Sequence, residues 1–186
     1  MKRLFSIMIC ACMCIMGAYA YDYEHSVGGT VGSIYGVSYK GFFVPVGDNG
    51  SIGLIGDLGV HLIATAGPRY KIEGVEPEIY SSTYTFFTFE LNPNAVYQSV
   101  ISEFDTGRVD WFAGIGTSVG LASYFDTRNG VAGKFGTNVI GGAEVVFDAP
   151  VNLSLDFRPG YGLWFNRNYH MSYFDWAVVA SVRYRF

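Results

Sequence analysis

Apolar and polar positions alternate along most of this chain, most regularly at its end. From Phe174 every second residue is apolar: Phe174, Trp176, Val178, Ala180, Val182, Tyr184 and Phe186. The interleaved set is Asp175, Ala177, Val179, Ser181, Arg183 and Arg185. A two-residue period predicts a β-strand. The charges share a face with small residues. The other face is aromatic at both ends and aliphatic between, which suits lipid outside and a packed polar lumen inside.

Eight such segments can be placed, at about 25–32, 35–44, 51–66, 94–104, 109–124, 134–147, 151–165 and 172–186. Ser33 and Ile34, the cluster Pro45 to Gly50, Asp105-Thr106-Gly107 and Asp148-Ala149-Pro150 form short connections. Gly67–Pro93 holds three prolines and is expected to be the longest surface loop, with room for a β-hairpin extension. Asp126–Gly133 and Asn166–Met171 are further loops. Short turns alternating with longer loops predict an all-β fold, an eight-stranded antiparallel up-and-down transmembrane β-barrel. The even strand count puts both termini on the periplasmic side.

Facing repeats from strand to strand. Val151, Leu153, Leu155 and Phe157 alternate with Asn152, Ser154, Asp156 and Arg158. Trp111, Ala113, Ile115, Thr117, Val119 and Leu121 alternate with Phe112, Gly114, Gly116, Ser118 and Gly120. Charges fall on the glycine- and serine-bearing face. Lys40, Asp57, His61, Glu144, Asp156, Arg158 and Arg183 are therefore expected to form a lumen charge network, since a charge in a low-dielectric interior needs a partner. In a soluble barrel the polar face would turn outward instead. Alternation alone does not choose between the two; the chain ends do.

Lys2 and Arg3 precede an apolar run, Leu4–Met16, and then Ala18-Tyr19-Ala20. These are the parts of a secretory signal peptide over 1–20, cleaved after Ala20, leaving 21–186 as the barrel. Cys10, Cys12 and Cys14 all lie in that leader, and a lipoprotein reading rests only on the poor tetrad Ile9-Cys10-Ala11-Cys12. The mature chain then has no thiol for a disulfide, a metal or a nucleophile. Without Lys2 and Arg3, ten basic residues face sixteen acidic ones, a formal charge of −6. No basic cluster appears, which argues against nucleic-acid binding.

Gly36-Val37-Ser38-Tyr39-Lys40, Asp110-Trp111-Phe112-Ala113-Gly114-Ile115-Gly116 and Leu153-Ser154-Leu155-Asp156-Phe157-Arg158-Pro159, together with the terminal Phe186, resemble the family of small bacterial outer-membrane β-barrel proteins. These are eight-stranded barrels of OmpA/OmpX-type architecture without an assigned role. The similarity spans nearly the whole mature chain. It implies residence in the outer membrane of a Gram-negative bacterium, a barrel fold, no catalytic residues and no agreed ligand. Tyr184 and Phe186 resemble the C-terminal assembly signal of such barrels, which implies the barrel-assembly machinery as a partner. Gly67–Pro93 departs most from the compact pattern, so nothing about loops transfers.

Candidate chemistry is sparse. His61 and Asp57 lie four apart on one strand face and could pair as a base and its orienter, but no serine is placed to complete a nucleophilic site. His170 lies near Asp175, and His25 stands at the mature N-terminus; neither makes a metal set. Gly28-Gly29-Thr30-Val31-Gly32 does not open a helix, so it is not a phosphate loop. Trp111, Phe147 and Tyr184 at one end, and Tyr124, Phe125, Trp164, Phe165, Phe174 and Trp176 at the other, are expected to form two interfacial girdles. The reading is a non-enzymatic integral outer-membrane protein with a filled lumen, no cofactor and no metal. Its partners are outer-membrane lipid and, through its loops, an extracellular ligand or protein. A narrow porin-like channel, a barrel enzyme acting on lipid and a soluble lipocalin-like carrier are the alternatives.

Overall fold

The alternating segments form β-strands in which every second side chain turns to one side. A computed structural model describes residues 25–47, 49–72, 77–123, 131–165 and 170–186, and side chains over 25–47, 49–62, 87–122, 131–165 and 172–186. The expected leader at 1–20, Tyr124 and Phe125 lie outside the described residues. The strands are β1 (His25–Gly32), β2 (Ile34–Val46), β3 (Gly50–Ile72), β4 (Pro77–Phe104), β5 (Gly107–Ser123), β6 (Val131–Phe147), β7 (Val151–Phe165) and β8 (His170–Arg185).

Each strand pairs antiparallel with the next, and β1 pairs with β8, so one sheet closes on itself. Closure leaves no continuous open edge along the ring. Gly32, at φ 116°, makes the β1–β2 turn. A Cβ there would also collide with the carbonyl of Val178 on β8.

The segment expected as a long loop with room for a β-hairpin extension is largely that hairpin. β3 runs on to Ile72, β4 begins at Pro77, and their register continues to Ile72↔Pro77. The three prolines of Gly67–Pro93 misled because proline is depleted within sheets, yet a proline can sit where no ladder donor is required. The β4–β5 register passes from Leu91↔Val119 to Asn94↔Gly116 and skips Pro93. Pro159 falls in a similar interruption, between Asn138↔Gly160 and Gly141↔Phe157 on β6 and β7.

The facing inverts the usual distribution of a water-soluble domain. Among the described residues, 21 polar or charged residues are buried against 12 apolar ones, so the interior is a polar core with apolar inserts. Ile115, Leu155 and Val178 are 68 %, 58 % and 40 % exposed, whereas Asp156 and Arg183 are at 2 % and 0 %. Ile55, Val96, Phe112 and Ile140 form an apolar layer inside, and Ile34, Ala177 and Val179 a second.

Trp164 departs from the expected girdle. It is buried and meets Tyr173 edge-on with ring centroids 5.5 Å apart. Its position shares parity with Asp156 and Arg158, and in a strand parity outranks residue type. Trp111, Phe165, Phe174, Trp176 and Tyr184 do face outward.

Candidate functional site

The interior holds three joined groups of charged side chains. In the first, Lys40 on β2 donates to Glu144 on β6 at 2.6 Å and to Gln98 on β4. Gln98 Nε2 donates to Asp110 Oδ2 at 2.7 Å and to Glu144 Oε2 at 2.9 Å. Arg183 on β8 donates to Ser38 and Ser154 at 2.8 Å each, to Ser181 at 3.1 Å and to Glu144 at 3.4 Å. The Lys40 ammonium also lies 4.7 Å from the centroid of Phe112, so its desolvated charge meets a ring face as well as carboxylates.

In the second group Arg158 on β7 bridges two carboxylates. Its Nη1 donates to Asp57 Oδ2 and its Nε to Asp156 Oδ1, both at 2.5 Å. Nη2 donates to Asp156 Oδ2 at 3.1 Å, completing a two-pronged contact with that carboxylate.

The third group is centred on Glu90 of β4. His61 Nδ1 lies 2.8 Å from Glu90 Oε1, and Lys134 Nζ donates to Glu90 Oε2 at 2.5 Å. Asp175 Oδ2 stands 3.5 Å from both His61 and Lys134. Asn92 donates to Glu90 at 3.0 Å. Beside these side chains remains an internal space of about 30 Å³, bordered by Tyr173 and Asp175. That is room for a water or two.

All seven residues assigned to the lumen from the sequence, Lys40, Asp57, His61, Glu144, Asp156, Arg158 and Arg183, lie buried inside the ring. Asp57 and His61 do not form the pair their spacing suggested. Asp57 bonds Arg158, and His61 bonds Glu90 across the β3–β4 ladder. Sequence reasoning missed Glu90, Gln98, Asp110, Lys134 and Asp175. The run Phe87-Thr88-Phe89-Glu90-Leu91-Asn92 carried the signal for Glu90, because Thr88, Glu90 and Asn92 are buried while Phe87, Phe89 and Leu91 are exposed.

The geometry suits charge neutralisation and space filling. Each interior cation touches at least one carboxylate, and many remaining lone pairs meet hydroxyls or amides, which is what makes buried ionic groups tolerable. Among the described residues, no group of three or more His, Cys, Asp or Glu is arranged to hold a metal ion.

At the short-turn end, Phe186 N donates to His25 O at 3.0 Å, and the His25 and Phe186 rings lie 6.0 Å apart. Tyr184 and Phe186 point outward, 57 % and 67 % exposed. A cleft of about 590 Å³ opens beside them, between Arg108, Phe147 and Arg185. Arg185 is committed there to the carbonyls of Phe147 and Ala149.

Comparison with known proteins finds no matching family model, no matching characterised protein and no matching solved structure.

Proposed function

We propose that this protein is an integral β-barrel of a bacterial outer membrane, non-enzymatic, with a structural or surface-interaction role and a lumen filled by its own side chains. One observation carries the reading: the outward face of the ring is apolar all the way round. From Val27 and Val31 on β1, through Leu58, Phe89, Ile115, Val139 and Leu155, to Val182 on β8, large apolar side chains stand exposed. A soluble monomer rarely exposes a contiguous apolar patch beyond a few hundred Å². Where the ring is closed, each strand bonds to a neighbour on both sides, which a spanning structure in hydrocarbon requires.

The leader expected from the sequence over 1–20 and the outward aromatics near the strand ends, Tyr184 and Phe186 among them, favour the outer membrane over other bilayers. Tyr184 and Phe186 would be read by the assembly machinery, and the loop end would meet extracellular ligands or proteins. The filled interior favours the scaffold over a channel, because an eight-stranded lumen is about as wide as its own side chains.

Cell fractionation with detergent extraction tests the reading. The protein is expected in the outer-membrane fraction, resistant to alkaline wash and released only by detergent. Recovery from the periplasm without detergent would sink it. Planar-bilayer recordings should show no discrete conductance, and a reproducible one would replace the scaffold with the channel.

A further inference from the structure

β1 and β2 are much shorter at the loop end than their neighbours, and this leaves a notch in the wall. The β1–β8 register ends at Gly32↔Val179 and the β2–β3 register at Ile34↔His61. β8 continues to His170, paired only with β7, and β3 continues to Ile72, paired only with β4, among the described residues. At the base of the notch a single residue bridges both sides. Ser33 N donates to Val178 O at 2.9 Å, Ser33 Oγ accepts from Val178 N at 3.1 Å, and Leu62 N donates to Ser33 O at 3.2 Å. β8 and β3 are thus two inter-strand spacings apart there, about 10 Å, which is room for one strand.

We propose that this notch is a strand-addition site that takes up an extended polypeptide segment of a partner protein, hydrogen-bonded to β8 on one side and β3 on the other. Ser33 already makes the bonds that the first residue of such a segment would make. Edge groups alternate along a strand, so after Val178 the groups of Trp176 and Phe174 face the notch. Trp176 N currently donates to Asp175 Oδ1 of its own neighbour at 2.8 Å, a side-chain stand-in for a missing strand. On β3 the groups of Ala64 and Ala66 follow Leu62 with the same parity, and Pro68 ends the run because it has no donor.

The lining also selects the segment. Outward neighbours are Leu62, Phe174 and Trp176, all exposed. Inward lie the apolar patch Ile34, Ala177 and Val179, and then the partly exposed Asp175 carboxylate, which the segment would share with His61 and Lys134. A fitting segment alternates apolar residues outward with small or cationic residues inward. Main-chain bonds supply affinity and the alternate side chains supply selectivity. The inference rests on register and hydrogen bonding and does not need the membrane reading.

Amide hydrogen exchange on the purified full-length protein in detergent tests it, with the peptide Thr-Val-Lys-Val-Thr-Val-Lys-Val as probe. The peptide should slow exchange at Phe174, Trp176, Ala64 and Ala66 by about tenfold or more while leaving β5 and β6 unchanged. A control peptide with proline in place of valine should have no effect. Trp176→Pro removes the notch-facing donor without touching the β7 ladder, and should abolish the slowing while β7–β8 amides stay protected. Asp175→Asn, a milder change, should weaken the lysine peptide several-fold but not a version with threonine for lysine. No slowing at saturating peptide, or equal slowing around the ring, would overturn the proposal. So would protection of these amides by lipid nanodiscs alone with no further effect of peptide, which would assign the notch to acyl chains.

Discussion

Lys40 on β2 and Glu144 on β6 meet inside the ring at 2.6 Å, 104 positions apart in the chain and both fully enclosed. Glu144 is the hub, because Gln98 and Arg183 also bond to it. Glu144→Gln takes the bonded carboxylate from two buried cations, and a broken buried pair costs about 3–5 kcal/mol. Lys40→Met leaves Glu144 with Arg183 and should cost distinctly less. Urea titration of the refolded variants in detergent gives the order directly.

Ile115, outward on β5 and 68 % exposed, is a position at which substitution can tell a hydrocarbon surround from an aqueous one. Ile115→Arg near the middle of a bilayer should cost about 2–4 kcal/mol. At a water-facing site the same change would stay within about 0.5 kcal/mol. Unfolding measured in lipid vesicles is the deciding assay, and near-neutrality there would remove the main support for membrane insertion.

Gly141 and Gly142 are neighbours with opposite tolerances. A Cβ on Gly141 points outward and meets nothing within 4 Å. A Cβ on Gly142 points inward and comes within 2.7 Å of Phe112 Cζ and of Asp156 Cβ. Gly142→Ala should destabilise by about 1–3 kcal/mol through overpacking. Gly141→Ala should be neutral or gain about 0.4–1 kcal/mol by restricting the unfolded chain. Thermal melts of the two variants read the contrast.

Deleting Phe186 removes the backbone bond to His25 and the ring contact at the β1–β8 seam. The expected outcome is a lower yield of folded barrel in cells, seen as loss of the heat-modifiable band on unboiled gels. Phe186→Tyr keeps the ring and should restore the yield. Equal yields from the deletion and the intact chain would show that the last residue plays no part in assembly.

Common facing was legible in the sequence because strand parity is strict: Asp156, Arg158 and Arg183 could be put on one polar face from their neighbours alone, although alternation did not say that this face turns inward. Pairing was not, because Arg158 on β7 reaches Asp57 on β3, and Lys40 on β2 reaches Glu144 on β6, only after the sheet has curled enough to bring strands four apart face to face. Glu90 was hidden by the prolines, which made its strand look like a loop. Trp164 was misplaced because an indole near a strand end fits an interfacial belt equally well, and only counting parity from Asp156 turns it inward. The notch could not be read at all, since it is set by how far β1 and β2 stop short of their neighbours.

The partnership of β1 with β8 has a consequence for how the molecule is made. β1 finds its second neighbour only when residues 179–185 have been delivered, so a growing chain that stops short of them carries two sticky flanks. Contacts this distant along the chain are slow to form. The molecule therefore cannot acquire its native shape piecemeal as it emerges from the ribosome, and whatever shields those flanks in the interval decides how much of it survives.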